Sequence, residues 1–212
     1  MHIPVNFLLS LLFMMSLADL SFATDASILK PPPGARVAVV VFDDLQCSDD
    51  ARAFPIVGQA ASAHEVPVVS YDFPLPMHNW AFDAAVWARF FDAKSEKLGN
   101  QFRAYLYSNQ IRISLSNLQD FVQRFGDENK VPIPATNDPD GKLAEKVKAD
   151  YRLAQQIGLV HAPTIFVVGR GSVSAPMVEV VSHDELNQVI EDMLKKAGRE
   201  APAKRVAKKK VR

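Results

Sequence analysis

The sequence contains one cysteine, Cys47, among its 212 residues. A single thiol excludes an internal disulfide and any metal site built from several thiolates. The five histidines show no metal-binding spacing such as His-x₃-His, so no metal site is expected. Two interpretations of Cys47 therefore stay open: a small apolar side chain in the core, or a thiol kept for chemistry.

Long hydrophobic runs are also scarce. The apolar run from Phe7 to Leu17 is too short to span a bilayer, which takes about 20 residues, and no later segment approaches that length. Ser21-Phe22-Ala23 follows the run and is typical of a signal-peptidase site. Residues 1–23 are therefore predicted to be a signal peptide of an exported protein. Because no Lys or Arg precedes the run, an uncleaved N-terminal anchor is the alternative.

Net charge is absent overall, because 24 basic and 24 acidic residues balance. The balance is uneven along the chain: residues 199–212 hold seven basic residues against one acidic residue, which gives +6. Removal of residues 1–23 takes away Asp19, so the mature chain carries +1 and its body, without the tail, −5. We expect a disordered basic tail with weak attraction to anionic surfaces, and no nucleic-acid partner.

The first half of the chain has the pattern of a βαβ unit. A proline-rich leader over residues 24–35 precedes Arg36–Phe42, a β-branched run typical of a strand covered on both faces. A helix over Ser48–His64 is predicted to begin just after Cys47, and a second strand over Val66–Phe73 follows it.

The second half begins with helical periodicity over residues 78–158, including a helix from Leu118 that Gly126 is expected to end. Its aromatic stripe is interpreted as packing within the helical block. Strands are predicted over Thr164–Val168 and Met177–Val181, and Ser182 is expected to cap a last amphipathic helix. The order is βαβ, a helical block, then ββα.

Three segments together resemble the DsbA-like thioredoxin-fold family. The first is similar to the family's strand that leads into Cys-Pro-x-Cys at a helix N-terminus. The second is similar to the entry into its helical insertion, and the third to the strand that follows a cis-proline. In chain order the segments are residues 41–50 (VFDDLQCSDD), 73–85 (FPLPMHNWAFDAA) and 160–169 (VHAPTIFVVG). The resemblance implies an α/β fold over residues 36–198, with a thioredoxin-like central sheet and a helical insertion of DsbA type at about 78–158.

The resemblance also implies a site. Cys47 is the expected catalytic thiol, at a helix N-terminus where backbone N–H groups favour thiolate. His161, Ala162 and Pro163 are the expected substrate-binding residues, since an extended peptide can pair with backbone groups there. His161 has two open interpretations, a base that pairs with the thiol or a loop histidine bonded to nearby backbone. His78 is interpreted as a structural residue that caps the helical block.

Two positions depart from the family pattern. Asp50 stands where the family has its second cysteine, and Val41 stands where it has a buried acid that moves protons to the thiols. Both changes indicate relaxed dithiol chemistry. Negative neighbours raise the pKa of a thiol, so that of Cys47 is expected at or above the ordinary value of about 8.5. The carboxylates near the thiol in sequence are Asp43, Asp44, Asp49 and Asp50.

Three functions remain open from the residues and the resemblance. The first is weak monothiol thiol–disulfide exchange, in which Cys47 forms mixed disulfides with protein or peptide thiols and an external thiol, of a protein or of low molecular weight, resolves them. The second is a degenerate peptide-binding module without redox turnover. The third is a structural role with an inert Cys47 and assembly through the tail. No cofactor is expected, because thiol exchange needs none, and the family habit implies a periplasmic location.

Overall fold

The computed structural model describes residues 28–136, 138–170, 177–180 and 182–199. The predicted signal peptide and most of the basic tail lie outside these residues. Within them, no helix has the length and apolar character needed to cross a membrane.

Strands and helices alternate at the two ends of the described chain and helices fill its middle, so the predicted α/β order is confirmed. In chain order the elements are β1 (Val37–Asp43), α1 (Ser48–Ala63), β2 (Val68–Asp72), α2 (Ala81–Asp92), α3 (Glu96–Asn109), α4 (Leu118–Glu128), α5 (Lys142–Gln156), β3 (Thr164–Gly169), β4 (Met177–Glu179) and α6 (Leu186–Arg199).

The described strands form one sheet in the order β2-β1-β3-β4. β1 runs parallel to β2, and the α1 crossover between them completes the βαβ unit. β3 is antiparallel to both β1 and β4. Val41 on β1 is therefore paired with Ser70 on β2 and with Ile165 on β3. The central position of β1 explains its continuous apolar sequence, because both of its faces are covered.

Alternate residues of β1 belong to two different cores. Val39 and Val41 pack with α1 and α6, for example against Val57 and Ile190. The intervening residues of β1, such as Phe42, pack on the opposite face against side chains of α5, Leu29 and β3. This period of two places residues 41 and 43 on the α1 side of the sheet.

The helical insertion has its own aromatic core. Trp80 and Trp87 are 3% and 5% exposed, and they pack among side chains of α2, α3 and α4. Phe91 contacts the rings of Phe102 and Phe125, with centroids 4.5 and 4.9 Å from its own. The interpretation of the aromatic stripe as internal packing is confirmed.

Two predicted helix ends are wrong. Gly126 lies inside α4, which continues to Glu128. The glycine is needed because residues 131–133 fold back onto the helix, and a Cβ at this position would lie 2.4 Å from a side-chain carbon of Ile133. Ser182 makes no side-chain cap, and a 3-10 turn over His183–Glu185 comes before α6.

Candidate active site

Cys47 occupies the N-cap position of α1 with an extended backbone, at φ −80° and ψ 127°. Its thiol is partly exposed and donates a hydrogen bond to the carbonyl oxygen of Ala162, with Sγ 3.4 Å from that oxygen. The two residues are 115 positions apart in the chain, and the pairing of β1 with β3 brings them together. The structure thus places Cys47 beside the segment that the sequence assigned to substrate binding.

Residues 161–163, here called the Pro163 loop, lead directly into β3. The peptide bond between Ala162 and Pro163 is cis. Thr164 Oγ1 donates to the carbonyl oxygen of His161, at 2.8 Å, and ties the loop to the start of the strand. Ala162 is buried and Pro163 is partly exposed, and both border a shallow groove that also reaches Arg52.

His161 also borders this groove, but its side chain is exposed. Among the hydrogen bonds of the described chain, none joins the His161 ring to Cys47. The thiol instead bonds to the backbone of the next residue, Ala162. Of the two interpretations of His161, this geometry favours the loop histidine, and the absence of a role as base stays a prediction.

Asp44 holds the loop between β1 and α1 in place. It is 1% exposed, and its carboxylate accepts from the Gln46 amide at 2.7 Å, the Leu75 amide at 2.6 Å and His78 Nδ1 at 2.7 Å. His78 thus has a structural contact, but with the loop before α1, and the expectation that it caps the helical block is wrong, because Trp80 is the N-cap residue of α2. The sequence reasoning counted Asp44 only as a charge near the thiol. The bond from Asp44 to the amide two residues later is an Asx-turn, which the sequence could have suggested.

A second set of bonds fixes the same loop through two glutamines. The Trp80 amide donates to Gln46 Oε1 at 2.9 Å. The Gln110 side-chain amide donates to the carbonyl oxygens of Leu45 and Cys47, at 2.8 and 2.9 Å. The helical insertion therefore positions the thiol-bearing turn from two sides. The role of Gln110 in positioning Cys47 was not predicted, because the sequence around Gln110 gives no sign of a contact with a residue 63 positions earlier.

The environment of Cys47 raises the pKa of its thiol to about 11. Burial is the largest cause, and the carboxyl of Asp50 adds to it, while the Asp50 backbone N–H lowers the pKa by bonding to the sulfur. The direction agrees with the expectation from sequence, but the main cause differs, because desolvation outweighs the negative neighbours. At neutral pH Cys47 is a thiol, and its nucleophilicity is low.

Besides Asp44, two further acids near Cys47 are buried, which the sequence did not indicate. Asp50 is 2% exposed and Asp43 is 5% exposed. Burial and their mutual repulsion raise the pKa of Asp50 to about 9, and burial with the charge of Asp72 raises that of Asp43 to about 7. Asp50 is thus mainly protonated at neutral pH. The expectation that Asp50 acts at neutral pH as an ionised neighbour of the thiol is wrong. Val41, the other position that departs from the family pattern, is buried in the core, with 7% of its surface exposed.

Ion pairs beside these acids connect the insertion to the sheet and join helices within the insertion. Arg89 on α2 bonds to both Asp72 and Asp150. Arg103 on α3 is 3% exposed and donates to both carboxylate oxygens of Asp92, each at 2.7 Å. Both guanidinium groups are therefore already paired with carboxylates. In the described ranges, no group of three or more His, Cys, Asp or Glu side chains could hold a metal ion.

The arrangement of sheet, insertion and thiol defines the class. The chain has the fold of the DsbA-like thioredoxin proteins, with the single thiol at the N-terminus of the first helix of the βαβ unit. No protein-family model matches the sequence, and no curated protein matches it.

Solved structures of three bacterial proteins illustrate the likeness. A periplasmic thioredoxin-like protein from Salmonella enterica serovar Typhimurium has a TM-score of 0.61 and 14% identity, covering 82% of this chain and 94% of its own. DsbA2 from Pseudomonas aeruginosa has a TM-score of 0.58 and 13% identity, covering 82% and 95%. The thiol-disulfide exchange protein alpha-DsbA2 from Wolbachia pipientis has a TM-score of 0.59 and 16% identity, covering 77% and 84%. At these identities the likeness establishes the fold.

Proposed function

We propose that the protein is an exported thiol–disulfide exchange protein that works with one thiol, Cys47, on peptides bound along the Pro163 loop. The observation that carries this proposal is the contact between Cys47 Sγ and the Ala162 carbonyl oxygen at 3.4 Å. It places the sulfur next to backbone groups with which an extended peptide can pair. A disulfide in such a peptide would then lie within reach of the thiol.

The reaction balances with one protein thiol. Cys47 loses its proton to solvent, and the thiolate attacks a disulfide R–S–S–R′, which forms Cys47–S–S–R and releases R′–S⁻. The released thiolate takes up a proton. The thiolate of an external thiol R″–SH, from a protein or a small molecule, then attacks the sulfur of R in the mixed disulfide, which forms R″–S–S–R and releases the Cys47 thiolate to take up a proton. The protein undergoes no net oxidation, and no cofactor takes part.

The chemistry is expected to be slow in both directions. A pKa of about 11 leaves little thiolate at neutral pH, which limits attack. The same high pKa makes Cys47 a poor leaving group, so a mixed disulfide resists resolution by attack on the partner's sulfur. The protein would therefore hold a captured partner for longer than a dithiol enzyme, in which a second cysteine at position 50 would release it.

A second candidate function is peptide binding without redox turnover. The raised thiol pKa favours it, as does the replacement of the second cysteine by Asp50. In this case the groove beside Pro163 and Arg52 would bind an extended peptide, and Cys47 would contribute only a polar surface. The two candidates share the same residues and differ in whether a covalent bond forms.

One experiment separates them. The purified protein is incubated at pH 8 with a peptide that carries its cysteine as a disulfide with glutathione, and adducts are detected by intact-protein mass spectrometry. Exchange predicts a Cys47–peptide or Cys47–glutathione disulfide that is absent in Cys47→Ser and is reversed by added thiol. Pure binding predicts no adduct and an unchanged peptide Kd in Cys47→Ser.

A small disulfide that lacks the extended peptide segment serves as the control for the groove. Oxidised glutathione at the same concentration should react at least about threefold more slowly if backbone pairing at the Pro163 loop positions the peptide. Equal reaction rates for the two disulfides would show that Cys47 is an accessible thiol without a peptide-binding site beside it, and would overturn the proposal.

Export and domain organisation belong to the same proposal. We infer cleavage after Ala23, a leader over residues 24–35, a thioredoxin-like domain over residues 36–198 and a basic tail over residues 199–212. The Salmonella neighbour is described as periplasmic, which supports a periplasmic setting. N-terminal sequencing of the protein recovered from a periplasmic extract tests the cleavage, and retention of Met1 would indicate the membrane anchor instead.

A further inference from the structure

A cavity of about 640 Å³ lies between the sheet, α1 and α3. This volume is within the range of pockets that hold small organic ligands, roughly 300–1,000 Å³. One wall is apolar and the other is polar. The apolar wall includes Val41, Ala53, Val57, Ala61 and Val66, and the polar wall includes Asp43, Asp50, Arg103 and Tyr107. The cavity is separate from the groove that borders Pro163, whose lining residues are different.

Four buried side-chain atoms of the described chain have no hydrogen-bond partner, and all four belong to the polar wall of this cavity. They are Asp43 Oδ1, Asp50 Oδ2, Arg103 Nε and the hydroxyl oxygen of Tyr107. None of these residues is more than 8% exposed. Buried polar side chains are nearly always hydrogen-bonded. Four such atoms, from β1, α1 and α3, belong to residues that line one cavity. This arrangement points to a polar group of another molecule as their hydrogen-bond partner.

The charges of the polar wall indicate which kind of ligand the cavity could bind. The two cations that line the cavity, Arg89 and Arg103, are already paired, Arg103 through both oxygens of Asp92. Asp43 and Asp50 have no cation within ion-pair distance among the described residues. The unpaired groups are thus two buried carboxyls, whose ionised forms a positive partner would stabilise, and two N–H or O–H donors that need an acceptor. An anion would meet two buried carboxyls and is excluded on electrostatic grounds.

We propose that this cavity binds a small organic cation, a primary ammonium compound with an apolar body and a neighbouring hydrogen-bond acceptor. The ammonium group would bond to the carboxyls of Asp43 and Asp50. Its acceptor would receive the Arg103 Nε–H and the Tyr107 O–H, and its apolar body would lie against the valines and alanines of the other wall. A buried cation placed in this way has both a charge partner and satisfied hydrogen bonds.

Access to the cavity is open between α1 and α3. Gly58 and Ser62 on α1 and Glu96 and Asn100 on α3 are exposed residues that also line the cavity. The carboxylate of Glu96 gives this entrance a negative charge, which attracts a cation. A Cβ added to Gly58 would meet no atom within 4 Å, so a larger side chain can be introduced at the entrance without a clash.

The first test compares three probes of similar shape and different charge by isothermal titration calorimetry at pH 7.5. They are 2-phenylethylammonium, 2-phenylethanol and 3-phenylpropionate. The proposal predicts that the ammonium compound binds at least about tenfold more tightly than the alcohol and that the carboxylate does not bind. Equal binding of the ammonium and the alcohol, or no binding of any probe at millimolar concentration, would overturn it.

The second test assigns the binding to the cavity. Asp50→Asn should weaken binding of the ammonium probe about tenfold, whereas Asp49→Asn, the same change on an exposed neighbour, should alter it less than twofold. Gly58→Leu narrows the entrance and should weaken binding while circular dichroism and the unfolding temperature stay near wild type. If Asp49→Asn weakens binding as much as Asp50→Asn, or if Gly58→Leu folds and binds like wild type, the cavity is not the site.

Discussion

Cys47 and Asp50 share one polar site in the first turn of α1, and each shifts the titration of the other. The carboxyl of Asp50 raises the pKa of the Cys47 thiol, and the neighbouring thiol lowers the pKa of the carboxyl. Because the two groups interact strongly, their protons leave in two steps that belong to the pair. Asp50 therefore has a physical role at the site, whereas the resemblance alone predicted it only as the replacement of a second cysteine.

Asp50→Asn is expected to lower the pKa of the Cys47 thiol by about one unit. In the wild type the carboxyl ionises first, near pH 9, and its charge then opposes ionisation of the thiol. The amide removes this charge and leaves burial as the main cause of the shift. The rate of alkylation by iodoacetamide, measured from pH 7 to pH 11, reports the thiolate fraction. Asp49→Asn is the matched control, and an equal shift in both variants would show that Asp50 has no special contact with the thiol.

Asp44→Ala is expected to destabilise the fold by about 3 kcal/mol or more. The substitution removes the acceptor of two backbone amides and of His78 Nδ1, and it leaves the amides of Gln46 and Leu75 unsatisfied. Urea denaturation gives the free energy of unfolding, and hydrogen exchange at the Leu75 amide reports the loop itself. Asp184→Ala, an exposed change, controls for loss of a carboxylate. A loss below about 0.5 kcal/mol would mean that the loop does not depend on Asp44.

The fold could be predicted from sequence because the patterns that define its strands and helices lie within short continuous segments. The β-branched run of β1 has a length and composition that only a central strand explains. The helix start at Cys47 and the strand that follows Pro163 lie within short continuous segments. Errors occurred where distant residues decide the outcome. Gly126 resembles a helix stop when only the neighbouring sequence is considered. A glycine is present there because Ile133 packs against this position of the helix.

The candidate site was predictable in its backbone and not in its electrostatics. Cys47 and the Pro163 loop could be assigned by resemblance, and β1–β3 pairing brings them together. The burial of Asp43 and Asp50 could not be read from sequence, because aspartate is ordinarily an exposed residue. Gln110 and Arg103 act across the insertion, and no spacing in the chain reveals such contacts.

His161→Ala is expected to leave the pH profile of Cys47 alkylation unchanged. The thiol bonds to the Ala162 carbonyl oxygen, and no hydrogen bond of the described chain joins it to the His161 ring. The His161 carbonyl oxygen, which accepts from Thr164 Oγ1, is a backbone group and survives the substitution. The measurement is the same alkylation series. A fall in rate near neutral pH, with no change in folding, would reinstate His161 as a base for the thiol.

The stability of the protein is expected to fall as the pH rises from about 4 to about 7, and Asp43→Asn should flatten this dependence. The pKa of Asp43 is raised from 3.8 to about 7 in the folded protein, so the folded state holds a proton that the unfolded state has released. The stabilisation from this group is complete below the unfolded pKa and is lost as the pH passes the folded pKa. The loss is on the order of 4 kcal/mol for a shift of this size.

Urea denaturation at pH 4.5, 6 and 8 measures this dependence. The free energy of unfolding of the wild type should fall across the series, and Asp50, whose pKa is raised to about 9, should add a loss that begins near pH 4 and continues to about pH 9. Asp43→Asn has no proton to lose and should show a slope smaller by the contribution of one group. Asp49→Asn, which removes an exposed carboxylate, should keep the wild-type slope. A wild-type stability that rises over this range would contradict the buried, neutral state of both acids, because ionised carboxylates with native partners give the opposite sign.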